Sequence, residues 1–287
     1  MLMRQARFRW ITCWLTVGAL LLTLSHWGQA QDTLESLRHD VRAEKEPEAP
    51  SRKRRRRSPR IRETDDETDN FVGQMLALGV TLPFWGPPII LDDNYREHGR
   101  FFSYPYKRGA LGNLVIGPEH QATTKVWHLR ARSEYLESFS GVSSTGGQVL
   151  LDTLPRFGLD TEFYHRQETL QSGSRDTLWT GDANAVFRFA QSSLLQMRTG
   201  LGINWLSDEQ GREYGFNFTY AGDLMLGDPW ILSGEIDAGT LGNSGLFHGR
   251  VTVGAQFHHV EIYTGYDYYQ VGDTILDGVL VGVRLWF

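Results

Sequence analysis

From residue 123 to the C-terminus the chain alternates apolar and polar residues with a period of two, and the polar positions repeatedly carry charge. Successive side chains of a strand point to opposite faces, so this pattern gives one apolar and one ionised face to each segment. Over Lys125–Tyr135 the apolar set is Trp127, Leu129, Ala131 and Tyr135, and the other set is His128, Arg130, Arg132 and Glu134. Phe157, Leu159 and Phe163 then oppose Asp160, Glu162 and Arg166, and Trp179, Ala183, Phe187 and Phe189 oppose Asp182, Asn184 and Arg188. The pattern persists through Arg198, Glu235, Asp237, His248 and Arg250 to Arg284, each beside an apolar neighbour. Strands of this kind need an apolar medium on one side and a polar one on the other.

A soluble β-sandwich also alternates, but its polar face meets water and is usually rich in lysine. Here Lys125 is the only lysine after residue 122, and the polar face is built from Arg, Asp, Glu, His and Gly. That composition favours a closed lumen. The segments are about 10–14 residues long, enough for a tilted strand to cross a bilayer. The expected architecture is therefore all-β, a closed antiparallel transmembrane barrel over 123–287 with about ten strands, eight and twelve being the alternatives. The ten fall near 124–138, 146–154, 157–169, 176–190, 194–206, 211–224, 229–240, 245–257, 259–270 and 276–287. An even count lets the first and last strands pair antiparallel and leaves no open edge. Tight connections at Pro155-Arg156, Ser192-Ser193, Leu226–Asp228 and His258-His259 are expected to alternate with longer polar ones at 140–146, 170–175, 207–212, 241–244 and 271–274.

The N-terminal region has a different composition. Arg4, Arg7 and Arg9 precede an apolar run from Ile11 to Leu24 and the small-x-small site Gly28-Gln29-Ala30. This is the form of a secretory signal peptide over 1–30 with cleavage near Ala30; the rival reading, an uncleaved anchor, needs a longer apolar core. Residues 31–70 are charged, nearly free of aromatics and interrupted by Pro47, Pro50 and Pro59 around the basic run Arg52–Arg57, and read as a disordered linker. Residues 71–122 carry an apolar run Phe71–Leu82, then Pro83-Phe84-Trp85-Gly86-Pro87-Pro88 and the aromatics Phe101, Phe102, Tyr104 and Tyr106. Their prolines argue against strands. A short helix near 71–80 followed by packed loops is expected, forming a plug or a periplasmic cover for the barrel, with a merely interfacial role as an equal alternative.

Charge and cysteine content narrow the chemistry. Residues 71–287 hold 15 Lys+Arg against 23 Asp+Glu, a net charge of −8 that disfavours a nucleic-acid-binding body. The sole cysteine, Cys13, lies in the signal region, so the exported chain has no thiol, disulfide or cysteine metal ligand. His248, His258 and His259 near Glu261 could suggest a metal or acid–base cluster, but such groups commonly serve as paired structural residues in turns and lumen walls. Gly242-Asn243-Ser244-Gly245 lacks the Gly-x-Ser-x-Gly spacing of a nucleophile elbow. No catalytic, cofactor-binding or metal residue is assigned. Arg130, Arg132, Arg188, Arg198 and Arg250 beside Asp160, Glu162, Asp182, Glu235 and Asp237 read instead as a charge-paired filling of the lumen.

The terminal residues Val281-Gly282-Val283-Arg284-Leu285-Trp286-Phe287 resemble the C-terminal signal of bacterial outer-membrane β-barrel proteins, with alternating apolar residues ending in Phe. That resemblance implies a bacterial outer-membrane location reached by Sec-type export, outer-membrane lipids as surroundings, and recognition of Val283, Leu285, Trp286 and Phe287 by the barrel-assembly machinery. Thr180–Asn184 and Thr264–Tyr268 are similar to stretches of uncharacterised bacterial barrels and imply no activity. The expected role is structural, in the envelope, with a largely filled polar lumen. The alternatives are a narrow pore gated by 71–122 and a rim hydrolase, omptin-like or lipid-acting. Arg52–Arg57 reads as part of a solvated tether balanced by Asp65, Asp66, Glu67 and Asp69, with contact to anionic envelope polymers as the alternative.

Overall fold

The computed structural model describes residues 32–43, 82–94, 97–116 and 123–287. The signal peptide, the basic run Arg52–Arg57 and the helix expected near 71–80 lie outside the described residues.

The alternating segments form a closed barrel of ten antiparallel strands, β3 to β12. They run Trp127–Ser138, Val142–Thr153, Phe157–Thr169, Arg175–Gln191, Leu195–Asp208, Gly211–Gly227, Trp230–Leu241, Ser244–Phe257, Val260–Val271 and Thr274–Trp286. Each pairs with its sequence neighbour, and β12 closes on β3 with Val281 opposite Tyr135 and Leu285 opposite Ala131. Beyond the strand end, Phe287 N–H donates to the Leu129 carbonyl at 2.9 Å. Closure pairs the edges a free sheet would leave open.

Side chains divide between the faces as the period of two requires. Leu159, Leu201, Ile203, Phe216, Val251, Val253, Ile262 and Val281 are exposed on the outer wall, whereas Arg130, Arg132, Glu134, Glu162, Arg250 and Arg284 are buried inside. Extra residues near Phe187/Ala190 and Met225/Gly227 shift the register at one end of the barrel. Several connections at the opposite end are shorter than their polarity suggests. The expected loop 140–146 is a tight turn at 139–141 with β4 starting at Val142, and two residues each suffice at 209–210, 242–243 and 272–273. The pairing of Ser143 with Glu137 and Gln167 extends the ladder into residues that composition alone assigns to a loop.

Each mouth of the barrel is covered by a different N-terminal segment. Helix α1, Thr33–Arg42, occupies the mouth bounded by the turns at 170–174, 209–210, 242–243 and 272–273. This corrects the reading of residues 31–70 as wholly disordered. Leu34, Leu37 and Val41 share one face of α1 and are fully buried among Val142, Leu178, Leu206, Leu241 and Val271. A ten-residue helix is marginal in water, so this docked face supplies the burial that ordering requires.

At the other mouth, where the barrel begins and ends, the cover includes the short ladder β1 (Arg100–Phe101) with β2 (Leu114–Val115); it is preceded by a second helix, α2, over residues 82–90, which packs against the barrel wall. Pro83, Pro87 and Pro88, read from sequence as loop residues, lie within α2. Phe101, Phe102 and Leu114 are buried, and Phe101 bridges to Lys125 just before β3. Among the described residues no helix is long and apolar enough to cross a membrane.

Candidate functional site

The barrel interior and its two covers form one connected arrangement. Every strand contributes inward side chains, and cations and carboxylates meet across the lumen. Arg132 binds Glu162 and lies 3.3 Å from Glu235; Arg250 reaches Glu162 at 2.6 Å and Asp267 at 2.8 Å. Two guanidinium groups thus share the Glu162 carboxylate. Tyr164 and Tyr263 donate their hydroxyls to the two oxygens of Glu134, whose charge also lies 3.6 Å from Arg132. Arg130 and Arg198 share Asp223 at 2.8 and 2.7 Å, and Arg188 pairs with Asp152 at 3.1 Å. Arg284 and the Trp286 indole N–H both engage Glu261, at 2.6 and 3.0 Å.

All ten charged residues assigned to the lumen by sequence are buried or nearly so, and the structure brings eight of them into ion pairs. Asp160 and Asp182 make no ion pair among the described residues: Asp182 accepts from the Asn184 amide at 2.7 Å, and Asp160 Oδ1 has no hydrogen-bond partner. The sequence reading did not include Glu134, Asp152, Asp223, Glu261 and Asp267 in the lumen charge network, where they supply partners for several of the arginines. Their inward parity was legible; which strands meet across a closed lumen was not.

The histidines do not form one cluster. His248 is buried, its Nδ1 3.0 Å from Asp237 and its Nε2 2.9 Å from Asp267. His258 and His259 lie at the turn ending β10, beside Tyr104. Ten residues of strand separate His248 from His258, about 30 Å at 3.3 Å per residue. Among the described residues no group of three His, Cys, Asp or Glu side chains is arranged to hold a metal ion.

The α1 cover closes its mouth by matching charge and backbone groups to the rim. The first N–H groups of a helix lack intrahelical acceptors and favour negative charge. Here Thr33 and Leu34 N–H donate to the two Glu168 oxygens at 3.1 and 2.9 Å. Arg38 forks onto Asp176 with two contacts of 2.5 Å and reaches Asp208 at 2.9 Å; Arg42 binds Asp208 at 2.8 Å. Hydrogen bonding to Asp176 is the leading reason the Arg38 guanidinium is held above its ordinary pKa, and Asp208 does the same for Arg42.

At the other end of α1, Asp40 Oδ2 accepts from the Asp273 and Thr274 N–H groups, and Asn243 N–H donates to Val41 O at 2.9 Å. Gly242 and Gly272 adopt positive φ, and a Cβ on Gly242 would stand 2.3 Å from the Val41 carbonyl. Glycine is required there both by conformation and by the close approach of the helix. Beneath α1, the space between Glu162, Tyr164, Asp182, Asp237 and His248 is about 10 Å³, roughly the lower limit for a single water.

The opposite cover is clasped by Arg156, which forks onto Asp93 at 2.7 Å through each terminal nitrogen. Gln196 donates to Asn113 at 2.6 Å, and Tyr104 and Tyr106 pack against Met225, Ile231 and Trp286. Phe101 stacks on His128 with the Arg188 guanidinium 4.9 Å above its ring. Val283 and Leu285 of β12 and Phe287 just after it are exposed, while Trp286 is buried inside. The terminal strand therefore presents an apolar edge outside and anchors itself to Glu261 within.

No family model matches the chain, and no curated protein matches it. Among solved structures, it is similar to one described as the NanC porin, with a TM-score of 0.36, 10% identity, and coverage of 55% of this chain and 98% of that chain. It is also similar to the KdgM porin, with a TM-score of 0.28, 14% identity, and coverage of 56% and 99%. Both likenesses are distant; the barrel is defined here by its own strand pairing.

Proposed function

We propose that the chain is an integral protein of the bacterial outer membrane, with a structural role in the envelope, whose barrel is filled by its own side chains and stopped at both mouths. The seating of α1 carries this reading: Leu34, Leu37 and Val41 are fully buried in one mouth. The apolar outer wall supports residence in lipid, since a ring of exposed Leu, Ile, Val and Phe would be a severe liability in water. Buried ion pairs are weak contributors to net stability, but they restrict how facing strands can register. Such a network supports a rigid body more readily than a water-filled passage.

A pore gated by 71–122 alone fits less well. Removing that segment would uncover one mouth and leave α1 in the other. Among the described residues a hydrolase at the rim finds little support, because His248 is enclosed between Asp237 and Asp267 while His258 belongs to the far turn. The proposed partners are outer-membrane lipids, the barrel-assembly machinery acting on Val283, Leu285, Trp286 and Phe287, and anionic polymers at Arg52–Arg57. Membrane fractionation tests the location: the protein should remain in the membrane pellet after carbonate and urea washing, and release into the supernatant would overturn the reading. Liposome swelling tests the closed lumen, with sugar entry no faster than in protein-free vesicles; rapid entry would contradict it.

A further inference from the structure

We infer that helix α2, residues 82–90, is a lipid-embedded buttress on the outside of the barrel, its free face in contact with phospholipid acyl chains. This rests on the proposal that the barrel wall is in a membrane. One side of α2 is committed to protein. Phe84 packs against Phe189, Phe218 and Tyr220 with ring centroids 5.9, 6.2 and 5.8 Å away. Phe218 and Tyr220 belong to the outward parity of β8, and Phe189, also outward, is only 4% exposed. Thus α2 lies on the outer wall, not inside the lumen.

Its attachment follows from its prolines. A helical carbonyl normally accepts from the N–H four residues on, but the residue four beyond Pro83 is Pro87, which has none. The freed Pro83 carbonyl instead accepts the Tyr220 hydroxyl at 2.9 Å. Each group gains a partner that hydrocarbon could not supply.

The remaining side of α2 is apolar and open: Leu82 is 51% exposed, Trp85 43%, Ile89 68% and Ile90 83%. Residues 82–91 contain no charge, and charge returns at Asp92-Asp93, where Asp93 is tied to Arg156 on the rim. The wall that Phe84 covers continues into exposed apolar surface: Phe218 pairs with Leu201, and Phe216 and Leu226 share the outward parity of Phe218 and Tyr220 in β8. That continuity favours lipid as the occupant over water or a second protein.

Site-directed spin labelling of the full-length protein tests the assignment. With Cys13→Ser as background, Ile89→Cys, Ile90→Cys, Asp92→Cys and the wall control Val251→Cys are labelled and reconstituted in phosphatidylcholine–phosphatidylglycerol vesicles. Folding of each variant is checked by its heat-modifiable gel mobility. The ratio of oxygen to nickel-chelate collision rates should be several-fold higher at positions 89 and 90 than at 92, and close to that at 251. A position-90 ratio equal to that at 92 would overturn the inference in favour of water, and poor access of both reagents would overturn it in favour of a protein cover. Water access at position 251 would instead defeat the membrane reading itself. Tyr220→Phe should increase label mobility at position 90, because the hydroxyl clamp on Pro83 is lost; unchanged mobility would remove the clamp from the account.

Discussion

At the residue scale, Glu162 and Arg38 make different demands on their surroundings. Glu162 lies between Arg132 and Arg250, so Glu162→Gln removes the anion and leaves two buried guanidinium groups short of a partner. Breaking a buried pair in this way costs about 3–5 kcal/mol. The expected outcome is a lower temperature for the heat-induced shift in gel mobility, with the folded species still forming; an unchanged temperature would mean that the site is solvated. Arg38 clasps the rim through Asp176 and Asp208. Its guanidinium is raised above the ordinary value, so the ion pair is present at neutral pH and on the alkaline side would be lost only as pH rose through that elevated pKa. Docking of α1 should therefore survive the alkaline pH of a carbonate wash, read as unchanged proteolytic protection of residues 33–42. Arg38→Ala should abolish that protection.

At the scale of elements, α1 and the closing strand β12 are the parts whose removal is most informative. Leu37→Ala deletes a fully buried side chain and should weaken docking by about 2–5 kcal/mol, measured as amide exchange at 33–42 faster by at least about thirty-fold for a 2 kcal/mol loss. Equal exchange rates would place α1 outside the mouth. Deleting Phe287 removes its backbone exchange with Leu129, at 2.9 and 3.4 Å, and should slow formation of the heat-modifiable barrel; undiminished assembly would separate closure from the terminal residue.

The strands were legible because burial by parity is a local property: Arg130 and Leu129 declare opposite faces from their positions alone. Helix α1 was hidden by its setting. Leu34, Leu37 and Val41 have helical spacing, but three apolar residues in a charged stretch gain their meaning only from a mouth assembled 100 or more residues later. Helix α2 was obscured by Pro83, Pro87 and Pro88, whose missing N–H groups are compensated in part by Tyr220, a residue no local pattern connects to them. The partners of the lumen arginines, such as Asp223 for both Arg130 and Arg198, depend likewise on barrel closure and shear.

At the scale of the whole molecule, the chain forms a cylinder with an apolar outside, an ionised inside and a cover at each mouth, made from segments that precede it in sequence. The two covers contact opposite mouths, so truncating residues 82–116 should leave the α1 mouth stopped and produce no passage. Planar-bilayer recording of the purified full-length protein tests the closed-body account most directly. The account expects a baseline without stepwise conductance across the voltage range that the bilayer tolerates, in preparations whose heat-modifiable mobility confirms a folded barrel. Regular, ohmic conductance steps from the same folded protein would contradict it.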